Sequence, residues 1–172
     1  IIPNDFQISQ IHSNTYRNPK QLPKGSVLVV GSGSSGVQIA DELLRKGKRV
    51  FLSVGPHNRP PRRYRGVDYV WWLGVLGKWD AQYVEKGKEH VTIAVTGANG
   101  GETVDFRNLA ERGIKLFGMT VSFRDGVLNF ASDLRENIAM GDAEYCRIAL
   151  DAGAKECAEA LLEAYEDDEE VI

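Results

Sequence analysis

The stretch that decides the fold is VLVVGSGSSGVQIADELLRKGKRVFLSVG, from Val27 to Gly55. It opens with a short β-branched run that can be buried on both faces and continues through a segment of small residues. Apolar residues then recur at three- and four-residue spacing up to Gly47, which is typical of a helix that packs one face against a sheet. A second apolar run, Arg49 to Ser53, follows. This order predicts a β-α-β unit over residues 26–53, with parallel strands and a right-handed crossover.

Residues Gly31 to Gly36, GSGSSG, fit the pattern G-x-G-x-x-G between the predicted strand and the predicted helix. In this context each glycine has a physical role. Gly31 allows a tight turn, Gly33 lets a pyrophosphate approach the backbone, and Gly36 lets the helix pack close to the strand. The sequence therefore predicts a dinucleotide site at the helix N-terminus; the alternative is a glycine-rich turn that binds nothing. The predicted ligands here are Gly31, Ser32, Gly33, Ser34, Ser35 and Gly36.

Further elements are expected beyond three prolines, Pro56, Pro60 and Pro61. The expected elements are a short apolar helix in residues 67–79, an alternating strand in residues 90–101, a helix capped by Asp105 and ended by Gly113, a third parallel strand at Ile114 to Phe117, a hairpin turning at Asp125-Gly126, and an amphipathic helix from about Ser132 that includes Ala154, Cys157, Ala158, Leu161 and Tyr165. The predicted fold class is α/β, a Rossmann-like three-layer domain with a mainly parallel sheet of three to five strands, a β-hairpin and a C-terminal amphipathic helix.

We expect three segments along the chain. Residues 1–22 contain prolines and no helical period, which indicates a connector. Residues 23–140 form the NAD(P)H-binding domain, and residues 141–172 form a helical segment with an acidic tail.

Composition and cysteine content limit the functional classes. With 172 residues, 42% hydrophobic and 26% charged, the chain can bury the core of an ordinary globular domain. It has no apolar run near the roughly 20 residues of a membrane span and no signal-like N-terminus, so we expect a cytoplasmic protein without membrane contact. Cys146 and Cys157 are eleven residues apart with no accompanying His or second cysteine pair, which indicates helix packing. No metal site is expected.

Charge is unevenly distributed. Residues 43–67 contain eight Lys or Arg and no acid, whereas residues 156–172 contain eight acids and no Lys or Arg. The acidic segment is interpreted as a solvated helix end. The basic segment has few aromatic residues for base stacking, and the whole chain has a formal net charge of -3. We therefore expect no nucleic-acid partner.

The end of the second predicted strand distinguishes one dinucleotide from another. Flavin- and NADH-binding loops usually place Asp or Glu there to hold the ribose hydroxyls, about 20 residues after the first glycine, whereas this chain has Ser53. Arg59, Arg62 and Arg63 follow in a proline-stiffened loop. Guanidinium groups suit a 2′-phosphate, so the pattern predicts NADPH, with a merely solvated basic loop as the alternative.

The N-terminal segment carries a second pattern. Phe6, His12 and Tyr16 fit the spacing F-x-G-x-x-x-H-x-x-x-[W/Y/F], with Ile8 where the pattern has glycine. Two further stretches are RYRGVDYVWWLGVLGKWD (residues 63–80) and TGANGGETVDFRNLAERGIKLFG (residues 96–118). In this pattern and in these two stretches, the chain resembles the flavin-dependent monooxygenases that carry one FAD domain and one NADPH domain. The match is to the second of these domains, the NADPH domain. Tyr16, at the last position of the pattern, resembles the heteroatom-oxidising members of the family.

The resemblance implies an NADPH domain that supplies hydride to a flavin held by another domain of the same polypeptide, with residues 1–22 as an interdomain connector. In such enzymes the reduced flavin activates oxygen, and one oxygen atom enters a small-molecule substrate. No catalytic residue is predicted in this chain, which we expect to be inactive alone. His12 is expected either to support a domain hinge or to serve as a hydrogen-bonding linker residue.

Two alternatives remain. A pyridine-nucleotide–disulfide-type reductase also pairs FAD and NAD(P)H domains, but its C-x-x-C pair does not occur in this sequence. A stand-alone nucleotide-sensing module is the second alternative. Ser53 and the family-like segments around Trp71 and Gly100-Gly101 favour the monooxygenase interpretation over the sensor.

Overall fold

The computed structural model describes residues 2–3, 8–77 and 92–153. In chain order the strands and α-helices are β1 (Val27–Val30), α1 (Ser34–Arg45), β2 (Val50–Ser53), β3 (His57–Asn58), β4 (Arg63–Tyr64), β5 (Val67–Asp68), α2 (Tyr69–Val75), β6 (Thr92–Ile93), α3 (Phe106–Glu111), β7 (Lys115–Phe117), β8 (Thr120–Arg124), β9 (Val127–Phe130) and α4 (Leu134–Gly153). Two 3-10 turns span Pro19–Gln21 and Ala98–Gly100.

A parallel three-stranded sheet organises the fold, with the order β1-β2-β7. Val30 lies beside Ser53, and Ser53 lies beside Phe117, so the three strands end at one edge. The predicted β-α-β unit and the third parallel strand are confirmed. The α/β class with a Rossmann-like, mainly parallel arrangement is therefore confirmed.

The core lies between β2, α1 and α3. Along α1 the buried residues are Val37, Ala40 and Leu43, a three-residue spacing that turns one helix face toward the sheet. Beyond its cap, Gly47 takes a φ of +74°, a conformation that glycine adopts without strain, and the helix ends there as predicted. On the other side, Phe106 and Leu109 of α3 are buried in the same cluster.

The edge strand β1 is less buried than its sequence predicts. Its β-branched run indicates burial on both faces, but Val30 is 61% exposed and the other three residues are only half-buried. The reason is its position: among the described residues β1 pairs with β2 on one side only. The most buried strand is β2, in which every residue but Phe51 is buried, because it has a neighbour on each side.

The region between β2 and α3 is less regular than the sequence indicates. The predicted strand in residues 90–101 is confirmed only as β6, a two-residue partner of β3, and residues 90–91 lie outside the described residues. Beyond it, Ser34 and Gln38 of α1 donate to the carbonyls of Ile93 and Val95, at 2.7 and 3.1 Å. Side chains of α1 therefore donate the hydrogen bonds that these carbonyls would otherwise accept from a strand partner.

Short elements before and after the third strand follow local sequence signals. Asp105 accepts hydrogen bonds from two backbone N–H groups of α3, which confirms it as the cap. The apolar helix is confirmed as α2. The hairpin β8-β9 turns at Asp125 and Gly126, whose φ values of 51° and 79° are both positive, as a two-residue hairpin turn requires. Arg65 and Gly66 form a second tight turn of this kind between β4 and β5.

The last described element is α4, which runs without interruption across residue 141, the expected start of the helical segment. The predicted helix positions from Ala154 to Tyr165 and the acidic tail lie outside the described residues, as does Phe6. No helix in the described part of the chain is both long and apolar enough to cross a membrane.

Candidate functional site

The glycine loop lies at the carboxyl edge of the sheet. The N–H of Gly31 donates to the carbonyl of Ser53 at 3.1 Å, and Gly31 has a φ of +104°, so the chain turns sharply as it leaves β1. A Cβ placed on Gly36 would overlap the carbonyl oxygen of Gly31. The structure therefore gives Gly31 and Gly36 the roles that the motif predicts, a turn and a close approach.

The N-terminus of α1 points into this loop. Gly33 is the N-cap residue and provides no side-chain hydrogen bond, so the first N–H groups of this 12-residue helix lack a side-chain cap. A Cβ on Gly31 would meet no atom within 4 Å. Uncapped N–H groups at the positive end of a helix dipole, beside open space, are suited to a phosphate.

The three serines of the loop differ in their surroundings. Ser32 is buried, and its hydroxyl donates to the carbonyl of Gly55 at 3.2 Å. Ser34 donates to the carbonyl of Ile93 and is therefore engaged by the segment after β6. Ser35 is exposed and lines an open groove of about 690 Å³ along the outer face of α1.

Ser53 faces away from solvent. Its hydroxyl donates to the carbonyl of Gly118 at 2.9 Å and accepts from the hydroxyl of Thr120 at 2.9 Å. The residue is 2% exposed. The hydroxyl therefore has a donor and an acceptor inside the protein, and its predicted contact with a cofactor stays a prediction.

Arg59 is held by α4. Its guanidinium donates to the carbonyl of Val104 at 2.9 Å and to the carboxylate of Asp142, and it lies over the ring of Tyr145. Asp142 also accepts from Arg107 at 2.7 Å. The Arg107 and Arg59 guanidinium groups hold the pKa of Asp142 below its usual range, against the opposing effect of burial.

Of the other two predicted arginines, Arg62 directly precedes β4 and Arg63 is its first residue. Arg62 pairs with Asp68 at 2.8 Å, and its Nε is buried without a partner among the described residues. Arg63 is exposed and donates to the carbonyl of Gly100 at 3.2 Å. No salt bridge joins Arg63 to an acid within the described parts of the chain. The structure thus leaves Arg63 the most accessible of the three arginines.

His57, which no sequence pattern singles out, connects the glycine loop with α4. The residue is fully buried, and its Nδ1 lies 2.9 Å from the carbonyl of Gly55, the same oxygen that Ser32 contacts. Burial lowers the pKa of His57, partly offset by the Gly55 hydrogen bond. A lone histidine after a strand gives no sequence signal of this role, because its neighbours Ser32 and Gly141 are distant in sequence.

The N-terminal segment is attached to α1. The hydroxyl of Tyr16 donates to the carboxylate of Glu42 at 2.8 Å, and burial together with this carboxylate raises the pKa of Tyr16. His12 is exposed and accepts a hydrogen bond at Nδ1 from the N–H of Asn14 at 3.3 Å. His12 therefore belongs to a local turn, and a hinge role stays a prediction.

Within the described residues no group of three or more His, Cys, Asp or Glu side chains is arranged to hold a metal ion.

Comparison with known proteins identifies relatives. Residues 3–59 match the family model described as flavin-binding monooxygenase-like. An uncharacterised CzcO-like oxidoreductase of Geobacillus kaustophilus is 34% identical over 129 residues, which cover 74% of this chain and 36% of that protein. An uncharacterised oxidoreductase CzcO of Bacillus subtilis is 38% identical over 76 residues, or 44% of this chain and 22% of that protein. Flavin-containing monooxygenase 1 of Sus scrofa is 46% identical over 51 residues, or 30% of this chain and 10% of that protein.

The matched region spans about a third or less of the length of these relatives. No solved structure matches the chain. The family match covers the N-terminal segment from residue 3, the glycine loop and β2, and the similarity to the Geobacillus oxidoreductase covers 74% of the chain. The chain is thus similar to proteins of the flavin-binding monooxygenase-like family of oxidoreductases.

Proposed function

We propose that this chain is the NADPH-binding domain of an FAD-dependent monooxygenase-like oxidoreductase. The observation that carries the proposal is the uncapped N-terminus of α1, which faces a loop where Gly31 and Gly36 approach closely at the carboxyl edge of the sheet. In doubly wound folds this edge is where dinucleotides bind.

The pyrophosphate would lie against the first N–H groups of α1, with Gly33 allowing close approach. Ser35 is exposed beside these groups and can donate to a phosphate oxygen. Ser32 supports the loop because its hydroxyl donates to the carbonyl of Gly55. Backbone donors of this kind bind phosphate without needing a cationic side chain.

The choice of NADPH over NADH rests on the charges beyond β2. Because Ser53 stands where NADH-binding loops usually have Asp or Glu, no carboxylate at this position would repel a 2′-phosphate. Arg63 is exposed and has no acidic partner among the described residues, so it is the leading candidate for the phosphate. Arg62 is paired with Asp68, and Arg59 is paired with Asp142. Each arginine would contribute to phosphate binding either by exchanging its carboxylate partner for the phosphate or through the electrostatic attraction of its positive charge.

When bound, NADPH supplies a hydride to the flavin. This chain binds and orients the nicotinamide cofactor, while the flavin and the small-molecule substrate belong to another part of the polypeptide. The relatives named as flavin-containing monooxygenases support this assignment. A cytoplasmic location is part of the same proposal.

The test compares NADPH and NADH by calorimetry on the 172-residue chain. We expect NADPH to bind about tenfold or more tightly at low salt, because charge-assisted hydrogen bonds contribute roughly 1.5 to 3 kcal/mol each. Gly33→Val should abolish binding of both nucleotides in a folded protein. Arg63→Ala should narrow the preference by weakening NADPH alone.

Arg49→Ala is the matched control, because Arg49 is also exposed but precedes β2 at the opposite end of the strand. It should leave the preference unchanged. The preference should shrink as salt rises, since exposed charges are screened over about 10 Å at 0.1 M. Equal affinities for the two nucleotides at low salt would reject NADPH as the cofactor.

A further inference from the structure

We propose that His57 is a positioning residue, which holds the glycine loop through the carbonyl of Gly55 and makes nucleotide affinity depend on the docking of α4. This inference rests on the proposed nucleotide site and adds a pH-sensitive element to it.

The first observation is a shared acceptor. The carbonyl oxygen of Gly55 lies 3.2 Å from the hydroxyl of Ser32 and 2.9 Å from Nδ1 of His57. Because a carbonyl has two lone pairs, it can accept both hydrogen bonds. Ser32 lies between Gly31 and Gly33 of the phosphate loop. The imidazole is therefore two hydrogen bonds away from the loop backbone.

The second observation is the enclosure of the other ring nitrogen. Nε2 of His57 is buried and has no partner among the described residues. It faces Gly141 of α4, where a Cβ would lie 2.5 Å from Nε2. On another side the ring of Phe106 lies 4.6 Å away between centroids. The packing thus accommodates an imidazole with its proton on Nδ1 and no hydrogen on Nε2.

Burial of the ring opposes its protonation most, and the two charged groups near it act in opposite directions. Arg59 follows in the chain and repels a positive imidazole, while Asp142 of α4 attracts it. Asp142 is already shared by Arg59 and by Arg107 of α3, so its carboxylate is largely neutralised. A second N–H on the ring would point at Gly141 without an acceptor. Protonation would therefore push α4 from the ring or rotate the ring away from Gly55.

Either movement would loosen the phosphate loop. NADP⁺ is the suitable probe, because it tolerates acidic buffers. We expect its affinity to fall about three- to tenfold as the pH drops through the pKa of His57 in the folded protein, which burial places below the ordinary value of about 6.5, in addition to any fall caused by the cofactor's own phosphate.

Two substitutions separate the roles of the ring. The side-chain amide of His57→Asn can donate to Gly55 in place of Nδ1–H and does not titrate. It should keep most of the neutral-pH affinity and lose the His57-dependent fall at low pH. His57→Phe fills the space without a donor and should bind about three- to tenfold more weakly already at neutral pH. His12→Asn, at an exposed histidine, should keep the wild-type profile.

A second measurement needs no nucleotide. In NMR spectra of the whole chain, the amide signals of Ser32 and Gly141 should shift together with the titration of His57, and should not shift in His57→Asn. Identical pH profiles in wild type and His57→Asn, or an unmoved Ser32 signal while His57 titrates, would overturn the inference. A folded chain that binds no NADP⁺ at any pH would instead reject the proposed function, and the NMR titration would still decide the coupling.

Discussion

At the scale of single residues, the closest backbone approach in the loop is at Gly36. Its α-carbon faces the carbonyl oxygen of Gly31 so closely that any Cβ would overlap backbone. Backbone cannot move aside as a flexible side chain can. The glycine is therefore required by packing, whether or not a nucleotide is bound.

We expect Gly36→Ala to lower the free energy of unfolding by about 2 kcal/mol or more, because the new methyl group forces the loop away from α1. Thermal denaturation followed by circular dichroism measures the change. Gly97→Ala is the matched control: Gly97 has a φ of -95°, and a methyl group added there would meet no atom within 4 Å, so it should tolerate alanine. Equal melting temperatures for the two variants would contradict the close approach.

His57 gives the unfolding equilibrium a pH dependence of predictable sign. Its pKa is lowered in the folded protein, so below about pH 6.5 the unfolded chain binds more protons than the folded one. We expect the free energy of unfolding to be unaffected by His57 above that pH and to fall below it, by at most about 1.4 kcal/mol per pH unit. Denaturant titrations between neutral and mildly acidic pH measure this slope, and a slope unchanged in His57→Asn would disprove the assignment.

Contacts within the local motif could be predicted from the sequence, whereas contacts between residues far apart in the chain could not. The turn at Gly31 and the close approach at Gly36 could be predicted, because the motif is local. The hydroxyl partners of Ser53 come from residues 118 and 120, and Asp142 reaches Arg59 from 83 residues away. A pattern of residue types carries no information about such distant partners, so the engagement of Ser53 and Arg59 was not predicted.

At the scale of elements, the same distinction holds. The unit β1-α1-β2 was predicted because its apolar periodicity is strong, and the hairpin β8-β9 because Asp-Gly favours its turn. The pairings β3-β6 and β4-β5 were not predicted: β6 lies within the predicted strand of residues 90–101, but its partner β3, like β4 and β5, has only two residues and no measurable period. The exposure of β1 was missed because burial depends on which neighbours a strand has.

Polar side chains attach α4 to the carboxyl edge of the sheet. Asn137 is buried and donates to the carbonyl of Val54 at 3.0 Å, and Asp133 accepts from the N–H of Met119 at 2.9 Å. Asp142 adds the two arginine contacts. These contacts place α4 against His57, so the helix and the candidate site share one framework.

We expect Asn137→Ala to reduce the free energy of unfolding by about 1 to 3 kcal/mol, because the carbonyl of Val54 loses a buried donor. Chemical denaturation measures the loss. Arg135→Ala, at an exposed position two residues earlier on α4, should change stability by no more than about 0.5 kcal/mol. Similar effects of both substitutions would show that α4 does not depend on this buried hydrogen bond.

At the scale of the whole molecule, the sheet has the arrangement of one half of a doubly wound fold. In the six-strand order 3-2-1-4-5-6, the strands β7, β2 and β1 take the places 3, 2 and 1. The exposed side of β1, with Val30, lies where the second half of such a sheet would begin.

The same arrangement predicts which cofactor the 172-residue chain binds by itself. Its sequence contains one G-x-G-x-x-G loop, and we have proposed that this loop holds NADPH. A flavin dinucleotide needs a strand, loop and helix of its own. We therefore expect the purified chain to be colourless, to bind NADPH, and to oxidise NADPH only after a flavin-binding unit from a relative is added.

Absorption spectroscopy and the decay of NADPH fluorescence measure both outcomes, with Gly33→Val as the variant that should remain inactive even with the added unit. A flavin spectrum near one equivalent in the purified chain would contradict the division of cofactors between two domains.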